Sequence, residues 1–306
     1  MNADAGTADQ ALEQLRLHDG RVVEFAVRGP EDGPVVFLQH GMPGSAVPMD
    51  TVWGSAVERG YRVITYSRAG YGASTPMPGR AVAGAVEDGR VLLDHLGVRR
   101  CLVAGWSAGG PYALATGAAD PQRVSGVLLI ASFAPYDAEG LEFVAGMGVQ
   151  NAVLFGAAVQ GEQALRTAVL RMGGALRGSG PADLAAAMAS LLPAVDSNEL
   201  TSAYGADNAA NVNHGLARGD AGWLGDLHAL TSPWGFDPGS VVVPVDLWHG
   251  SLDRMVPIAH ARWLAEHLPT ARPHLRNHHG HLSIGVGSLG DKLDRLITRT
   301  SLTRPV

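Results

Sequence analysis

The hexapeptide at residues 105–110 is the sequence feature that most constrains how this chain can fold. It consists of Gly-Trp-Ser-Ala-Gly-Gly, follows an apolar run at 101–104 and precedes a helix-forming stretch. A strand that turns abruptly into a helix strains the residue at the turn, and glycines two positions away on either side prevent collisions with neighbouring chain segments. The pattern therefore predicts a nucleophile elbow that holds Ser107 at a sharp tip.

The same turn predicts half of an oxyanion hole. The N–H of Ala108, at the start of the following helix, is expected to point to the place where negative charge develops on an attacked carbonyl. A serine flanked by glycines also occurs in strand-to-helix turns where it has no chemical role. The rest of the sequence has to decide between these two interpretations.

Composition predicts a large soluble domain without a polyanionic partner. The chain has 306 residues, of which 46% are hydrophobic and 17% charged, and its 23 Lys and Arg against 29 Asp and Glu give a net charge of −6. Because no basic block is present, we expect no nucleic-acid partner. The single cysteine, Cys101, cannot form an internal disulfide and is expected to pack inertly in a buried strand.

Targeting signals are also missing from the sequence pattern. Residues 1–14 carry three acidic side chains and no apolar segment typical of a signal or transit peptide. Apolar runs elsewhere are far shorter than the roughly 18 residues needed to cross a bilayer. We therefore expect a cytoplasmic protein that begins where the sequence begins and has no membrane partner.

Alternating apolar runs and helical spacing predict a mostly parallel sheet. A two-residue turn at Asp19-Gly20 is expected to close an initial hairpin. The predicted strands lie at 15–17, 22–27, 35–38, 61–66, 101–106, 124–131, 241–248 and 272–276, and the helices between them at 52–60, 82–96, 109–119 and 257–268. Such alternation implies right-handed crossovers, with helices on both faces and the site in the loops at the carboxyl ends of the strands.

Residues 133–237 interrupt this alternation. Alanine, glycine and helical spacing dominate there, which predicts helices at 161–172 and 182–192 separated by Gly173-Gly174 and by 178–181. We interpret 133–237 as a helical unit inserted into a core formed by 1–132 and 238–306. Most of its apolar side chains are expected to pack on the core, and some to line a substrate cavity.

An acid and a histidine follow the last two predicted strands. Asp253 comes after the strand at 241–248, and His281 comes after the strand at 272–276. The resulting order of serine, acid and histidine is the one that a Ser-Asp-His triad uses in folds of this type.

Each of these two residues has an alternative interpretation. Asp253 could cap the helix that follows it, with Asp137 or Asp246 as the acid instead, although Asp246 lies inside a predicted strand. The closely spaced His278, His279 and His281 suggest a metal site, but no matching acid or histidine cluster stands elsewhere in the chain.

With these residues in place, the chain resembles the α/β-hydrolase superfamily over residues 15–132 and 240–300. The segment 40–44, His-Gly-Met-Pro-Gly, is similar to the family's oxyanion loop, and the insert occupies the position of its helical cap. The resemblance implies an α/β-hydrolase fold with a mostly parallel central sheet, helices on both faces and an inserted cap. It implies a catalytic triad of Ser107, Asp253 and His281.

The resemblance also implies the roles of the remaining site residues. The N–H groups of Met42 and Ala108 would form the oxyanion hole, and His40, Gly41 and Trp106 are expected to contact the substrate. His40 is expected mainly to support the oxyanion loop, and Trp106 either packs at the strand end or forms the pocket wall. This scheme requires no metal or organic cofactor.

Three positions depart from patterns seen in relatives. Ser67 stands where many relatives have an acid before the arginine that is Arg68 here, so the usual local partner of this arginine is absent. Met42 stands where proline aminopeptidases have a second glycine, which disfavours a peptidase. Ser107 stands where epoxide hydrolases and haloalkane dehalogenases have a nucleophilic aspartate, which disfavours both of those chemistries.

The leading functional expectation is a serine hydrolase acting on a small or medium apolar ester, amide or thioester. The alternatives are an aminopeptidase of the proline iminopeptidase type, a carbon-carbon bond hydrolase, a cofactor-independent oxygenase, and a non-catalytic small-molecule receptor. In a peptidase, the insert acids Glu139, Glu142 or Asp207 would bind the substrate amine. The expected partner is a small-molecule substrate, and a homodimer is compatible with the sequence.

Overall fold

The computed structural model describes residues 12–302, which contain an eight-stranded sheet. Its strands are β1 (Glu13–Arg16), β2 (Val22–Arg28), β3 (Val35–Gln39), β4 (Arg62–Tyr66), β5 (Cys101–Trp106), β6 (Val124–Ile130), β7 (Val245–Gly250) and β8 (Ala271–Arg276). Their order across the sheet is β1-β2-β4-β3-β5-β6-β7-β8. The pairs β1–β2 and β2–β4 are antiparallel, and the other pairs are parallel.

Helices cover both faces of this sheet. They are α1 (Asp50–Val57), α2 (Val86–His95), α3 (Gly109–Ala119), α4 (Val149–Gln160), α5 (Glu162–Leu176), α6 (Pro181–Met188), α7 (Ala194–Leu200), α8 (Ala203–Leu216), α9 (Ala221–Leu230), α10 (Ile258–His267) and α11 (Leu289–Ile297). One apolar cluster joins one sheet face to α1 and α11, and another joins the opposite face to α2, α3 and α10. The predicted α/β-hydrolase fold is confirmed.

Burial along the central strands explains their apolar sequences. Every residue of β3, β5 and β6 is buried. A parallel strand covered by helices on both faces has no solvent side, so it shows a continuous apolar run instead of an alternating one. These runs place β5 and its following turn in the middle of the carboxyl edge of the sheet.

Two details of the core strands differ from the sequence predictions. The first hairpin has three residues in its loop, since the N–H of Leu17 bonds to the carbonyl of Arg21 at 2.8 Å. The seventh strand begins at Val245 and not at 241. Pro244 lacks an N–H and cannot extend the ladder, so the apolar segment before it stays outside the sheet.

The chain between β6 and β7 forms α4 to α9, and we call residues 133–237 the insert. The predicted break at Gly173-Gly174 is wrong, because α5 continues through both glycines to Leu176. Gly173 is buried where a β-carbon would come within 2.9 Å of the Asp220 carboxylate, so packing explains this glycine. The domain limits at 132 and 238 stay a prediction.

Residues 1–11 lie outside the described residues. They make up most of the segment 1–14, on which the prediction of no signal or transit peptide was based. Within residues 12–302, no helix is both long and apolar enough to cross a bilayer.

Candidate active site

Ser107 occupies the strained turn that the hexapeptide predicts. Its φ is +57°, a left-handed conformation that is uncommon for a residue with a side chain. The turn is held by two main-chain hydrogen bonds, from the N–H of Ser107 to Ile130 at 2.9 Å and from the N–H of Gly110 to Ser107 at 3.0 Å. The Ser107 side chain lines a cavity at the carboxyl edge of the sheet.

The flanking glycines are required by close approach. A β-carbon on Gly105 would lie 2.4 Å from the carbonyl oxygen of Gly109, and one on Gly109 would lie 2.1 Å from the carbonyl oxygen of Gln39. Both distances are far inside van der Waals contact. The two glycines therefore allow α3 to start directly against the ends of β3 and β5.

Asp253 and His281 lie together, as the triad prediction requires. His281 Nδ1 is 2.8 Å from Asp253 Oδ2, and both side chains are buried. The other carboxylate oxygen accepts the N–H groups of Met255 and Val256, each at 2.8 Å. Asp253 does not cap the following helix, because α10 begins at Ile258 after Pro257 and has no side-chain cap.

The two rival acids lie elsewhere. Asp246 forms an ion pair with Arg299, and Asp137 is exposed. The three closely spaced histidines do not converge on one point. His279 Nδ1 lies 3.1 Å from the carbonyl of Ser283, whereas His281 contacts Asp253. No group of three His, Cys, Asp or Glu side chains in the described part of the chain is arranged to hold a metal ion.

Burial and charge shift the pKa values of the Asp253–His281 pair in opposite directions. Burial by itself would raise the pKa of Asp253, but the charge and hydrogen bonds of His281 and His249 hold it well below its usual range. Burial opposes the charged form of His281, yet the Asp253 carboxylate outweighs this and raises the His281 pKa. The pair therefore favours a carboxylate beside an imidazole that readily becomes protonated.

Ser107 and His281 line the same cavity. The Ser107 hydroxyl has no hydrogen-bond partner among residues 12–302. Hydrogen bonds between a nucleophile and its base are often long in a free enzyme and tighten when a substrate binds.

The loop at 40–44 lies beside the elbow. A β-carbon on Gly41 would be 3.7 Å from that of Ser107. His40 supports this loop, since its Nδ1 contacts the carbonyl of Gly41 at 2.6 Å and its Nε2 accepts the N–H of Arg68 at 3.1 Å. Burial keeps the pKa of His40 well below its ordinary value, which suits this neutral structural arrangement.

The support that Arg68 lacks in its own loop comes from the insert. Asp226 on α9 accepts hydrogen bonds from Arg68 at 2.6 and 3.2 Å and from Arg80 at 2.5 Å. Its carboxylate also accepts the hydroxyl groups of Tyr71 and Tyr112. Burial alone would raise the pKa of Asp226, but the two guanidinium groups hold it far below its usual range. Arg68 in turn donates to the main-chain carbonyls of residues 40 and 41 at 2.6 and 3.2 Å.

Ser67 takes up a different contact from the acid found in relatives. Its hydroxyl donates to Glu24 at 2.7 Å and accepts the N–H of Ala46 at 2.9 Å. Glu24 also contacts His214 of α8 at 2.9 Å. A second buried carboxylate therefore links the Ser67 loop to the insert.

The cavity has a volume of about 270 Å³ and a mostly apolar wall. Trp106 serves both functions considered for it, since it packs in the core and lines the cavity. No Asp, Glu, Lys or Arg is among the described lining residues, which include the aromatic side chains of Trp53, Trp106, Phe133, Tyr204 and Trp223 and the amides of Gln39, Gln150, Asn151, Asn208 and Asn211. The wall carries no permanent charge.

The acids proposed to bind a substrate amine do not reach this cavity. Glu139 and Glu142 are exposed, and Asp207 accepts the N–H and hydroxyl of Thr51 at 2.8 and 2.7 Å.

Cys101 is buried in β5, and burial raises its pKa to about 12, as expected for a packing residue.

Sequence reasoning missed several polar side chains of the insert that bind the site loops. Asp226 acts through Arg68, and Asn211 on α8 bonds to the main chain of Ser45 and Val47. Asp196 on α7 bonds to the loop that carries His281. No local motif marks these residues, because each finds its partner only across the interface between insert and core.

Comparison with known proteins agrees with this architecture. A family model described as the alpha/beta hydrolase fold matches residues 34–288. The chain belongs to the alpha/beta hydrolase fold family.

Individual relatives match shorter stretches. A non-heme chloroperoxidase of Streptomyces lividans is 33% identical over 119 residues, covering 38% of this chain and 43% of that protein. A bifunctional esterase/perhydrolase of Acinetobacter calcoaceticus is 32% identical over 93 residues, covering 30% of this chain and 34% of that protein. The matches thus span less than half the length of these relatives.

A solved structure shows the same fold over nearly the whole chain. The bromoperoxidase of Bacillus anthracis superposes with a TM-score of 0.67 at 19% identity, covering 94% of this chain and 100% of that one.

We predict that Asp226→Asn destabilises the protein strongly. The substitution keeps the side-chain volume but leaves the buried guanidinium groups of Arg68 and Arg80 without their counter-charge, a change that typically costs about 3–5 kcal/mol. The free energy of unfolding, measured by urea titration with circular dichroism, should fall by that amount.

Glu162→Gln is the matched control, because Glu162 pairs with Arg166 at the surface, where the two side chains are 76% and 54% exposed. Its free energy of unfolding should equal that of the unsubstituted protein within error. Equal stability of Asp226→Asn and the control would contradict the importance of the buried cluster.

Proposed function

We propose that the protein hydrolyses small or medium uncharged esters through an acyl-enzyme on Ser107. The observation that carries this proposal is the 2.8 Å contact between Asp253 and His281, with His281 and the strained Ser107 lining one cavity. A serine hydroxyl is a weak nucleophile and needs a positioned base. Here the base is His281, oriented by Asp253.

The reaction has two halves. Ser107 Oγ attacks the ester carbonyl carbon while its proton passes to His281 Nε2, and the tetrahedral intermediate then collapses as His281 returns the proton to the leaving alkoxide. In the second half, water loses a proton to His281 and attacks the acyl carbonyl. The carboxylic acid product leaves, and the proton returns from His281 to Ser107. Asp253 stays ionised and stabilises the imidazolium in both halves.

The oxyanion is assigned to the main-chain N–H groups of Met42 and Ala108. Neither group donates to a protein acceptor within residues 12–302, so both are free to bind a substrate oxygen. One such donor typically contributes about 10²- to 10³-fold to the rate. Arg68 and His40 hold the loop that carries Met42, which pre-organises this half of the hole.

The uncharged wall supports a neutral substrate. Moving an ionised group from water into an apolar cavity is strongly unfavourable unless a counter-charge meets it. Because the described lining residues offer none, neither the amine of a peptidase substrate nor a substrate carboxylate would be compensated. The apolar and aromatic wall suits the acyl or alcohol portion of an ester.

A second candidate is perhydrolysis, in which hydrogen peroxide replaces water as the nucleophile that releases the acyl group. The name of one relative, the bifunctional esterase/perhydrolase, favours it. It uses the same acyl-enzyme and the same three residues. Rates of peracid and acid formation from one ester, with and without peroxide, separate the two.

Ser107→Ala is expected to reduce ester turnover by up to about 10⁶-fold, because triad residues act as a unit. Release of p-nitrophenol from p-nitrophenyl butyrate measures this loss, and a fluorophosphonate probe should label the native protein but not the variant. Ser125→Ala, which alters a buried serine of β6 outside the cavity, is the control and should keep normal activity. An unlabelled native protein without turnover would favour the non-catalytic receptor.

We expect kcat/KM for a neutral ester to fall on the acidic side with an apparent pKa above about 6.5, the ordinary histidine value. The base has to be neutral, and the pKa of His281 is raised, so activity is lost as the pH falls through that raised value. A pH–rate profile on p-nitrophenyl butyrate tests this. An acidic limb at or below the ordinary value would contradict the described electrostatics.

Charge on the substrate should reduce kcat/KM sharply. Burying an unpaired charge costs several kcal/mol and each 1.4 kcal/mol is tenfold, so p-nitrophenyl hemisuccinate should react at least about 10²-fold more slowly than the butyrate ester. Prolyl p-nitroanilide tests the peptidase alternative in the same assay. Preference for either charged compound would contradict the proposed substrate class.

A further inference from the structure

The loop after β8, which carries His281, is bound by a carboxylate of the insert. Asp196, on the short helix α7, has no exposed surface. Its Oδ2 accepts the main-chain N–H of His281 at 2.5 Å, and its Oδ1 accepts the N–H and hydroxyl of Ser283 at 2.9 and 2.8 Å. One buried side chain thus binds the loop through three hydrogen bonds.

The loop is shaped to receive this carboxylate. A β-carbon on Gly280 would lie 2.2 Å from Asp196 Oδ2, so only glycine allows the approach. The Ser283 hydroxyl accepts the N–H of Gly280 at 2.9 Å while it donates to Asp196. The turn from 280 to 283 is therefore closed around the carboxylate.

The charged and titratable groups around His281 come from three parts of the chain. These are β7 with the loop that follows it, the helix α7, and the loop of His281 itself. Asp253 follows β7 and contacts the imidazole ring, Asp196 on α7 contacts the main chain, and His249 on β7 touches Asp253 at 3.4 Å. On its own loop, His279 contacts the Ser283 carbonyl. Asp253 and Asp196 both raise the pKa of His281 against the opposing effect of burial.

We propose that Asp196 is a positioning residue for the base of the reaction, supplied by the insert. It orients His281 through the loop main chain, and its negative charge stabilises the imidazolium that forms when Ser107 gives up its proton. This inference rests on the proposed hydrolase function. Asp196 does not line the cavity, so its effect is on the chemical step and not on substrate binding.

Asp196→Asn removes the negative charge and one hydrogen-bond acceptor and keeps the volume of the side chain. An amide has one accepting oxygen, so its NH₂ group would face one of the two main-chain N–H donors that the carboxylate accepts. Misplacement of a reacting group by about 1 Å can cost about 10²-fold in rate. We expect kcat for p-nitrophenyl butyrate to fall by about that factor with KM little changed, and the acidic limb of the pH profile to move to lower pH.

Asp207→Asn is the matched control. Asp207 on α8 also accepts a main-chain N–H and a hydroxyl from the core, but both belong to Thr51 of α1 and neither to a residue of the proposed triad. Its kcat and its pH profile should equal those of the unsubstituted protein. Unchanged kcat and pH profile in Asp196→Asn, or the same changes in both variants, would overturn the proposal.

Two further measurements keep this test independent of folding and of the proposed function. NMR titration of the His281 imidazole should show a lower pKa in Asp196→Asn even if no ester is turned over, and an unshifted pKa would overturn the electrostatic role. If Asp196→Asn does not fold, Ser283→Ala removes both hydrogen bonds of the Ser283 hydroxyl, to Asp196 and from the N–H of Gly280, and keeps the charge of Asp196. It should lower kcat without moving the acidic limb, and an unchanged kcat would count against positioning.

Discussion

The structure depends on the buried ion cluster at Asp226. A single carboxylate in the insert compensates two guanidinium groups of the core, one of which, Arg68, binds the carbonyls at residues 40 and 41. Removal of Asp226 would leave both guanidinium groups in the interior without their counter-charge. Packing of the insert and the shape of the loop at 40–44 are therefore one structural requirement.

The same principle recurs at the other site loops. Asp196 binds the loop that carries His281, and Asn211 binds the main chain of Ser45, directly after the loop at 40–44. In each case a polar side chain of the insert satisfies main-chain groups of the core, which would otherwise be buried without partners. The insert thus shapes the proposed catalytic loops as well as part of the apolar wall of the cavity.

Local sequence was sufficient where the structural requirement is local. The glycines around Ser107 are needed by contacts within one turn, and the continuous apolar runs of the central strands follow from burial on both faces. Predictions failed where packing overrides propensity. The pair Gly173-Gly174 remains helical because Gly173 packs against Asp220 and Arg177, and Pro244 delays the start of β7.

By itself the sequence determined the sheet, the elbow and the order of serine, acid and histidine, because the carboxyl ends of parallel strands meet at one edge and bring those residues together. Only the tertiary structure decided which insert acids matter. Asp196 and Asp226 bind partners 85 and 158 positions away, whereas Glu139 and Glu142 remain in solvent. A carboxylate acquires its role from burial against a particular counter-charge or N–H group, and no short stretch of sequence contains that contact.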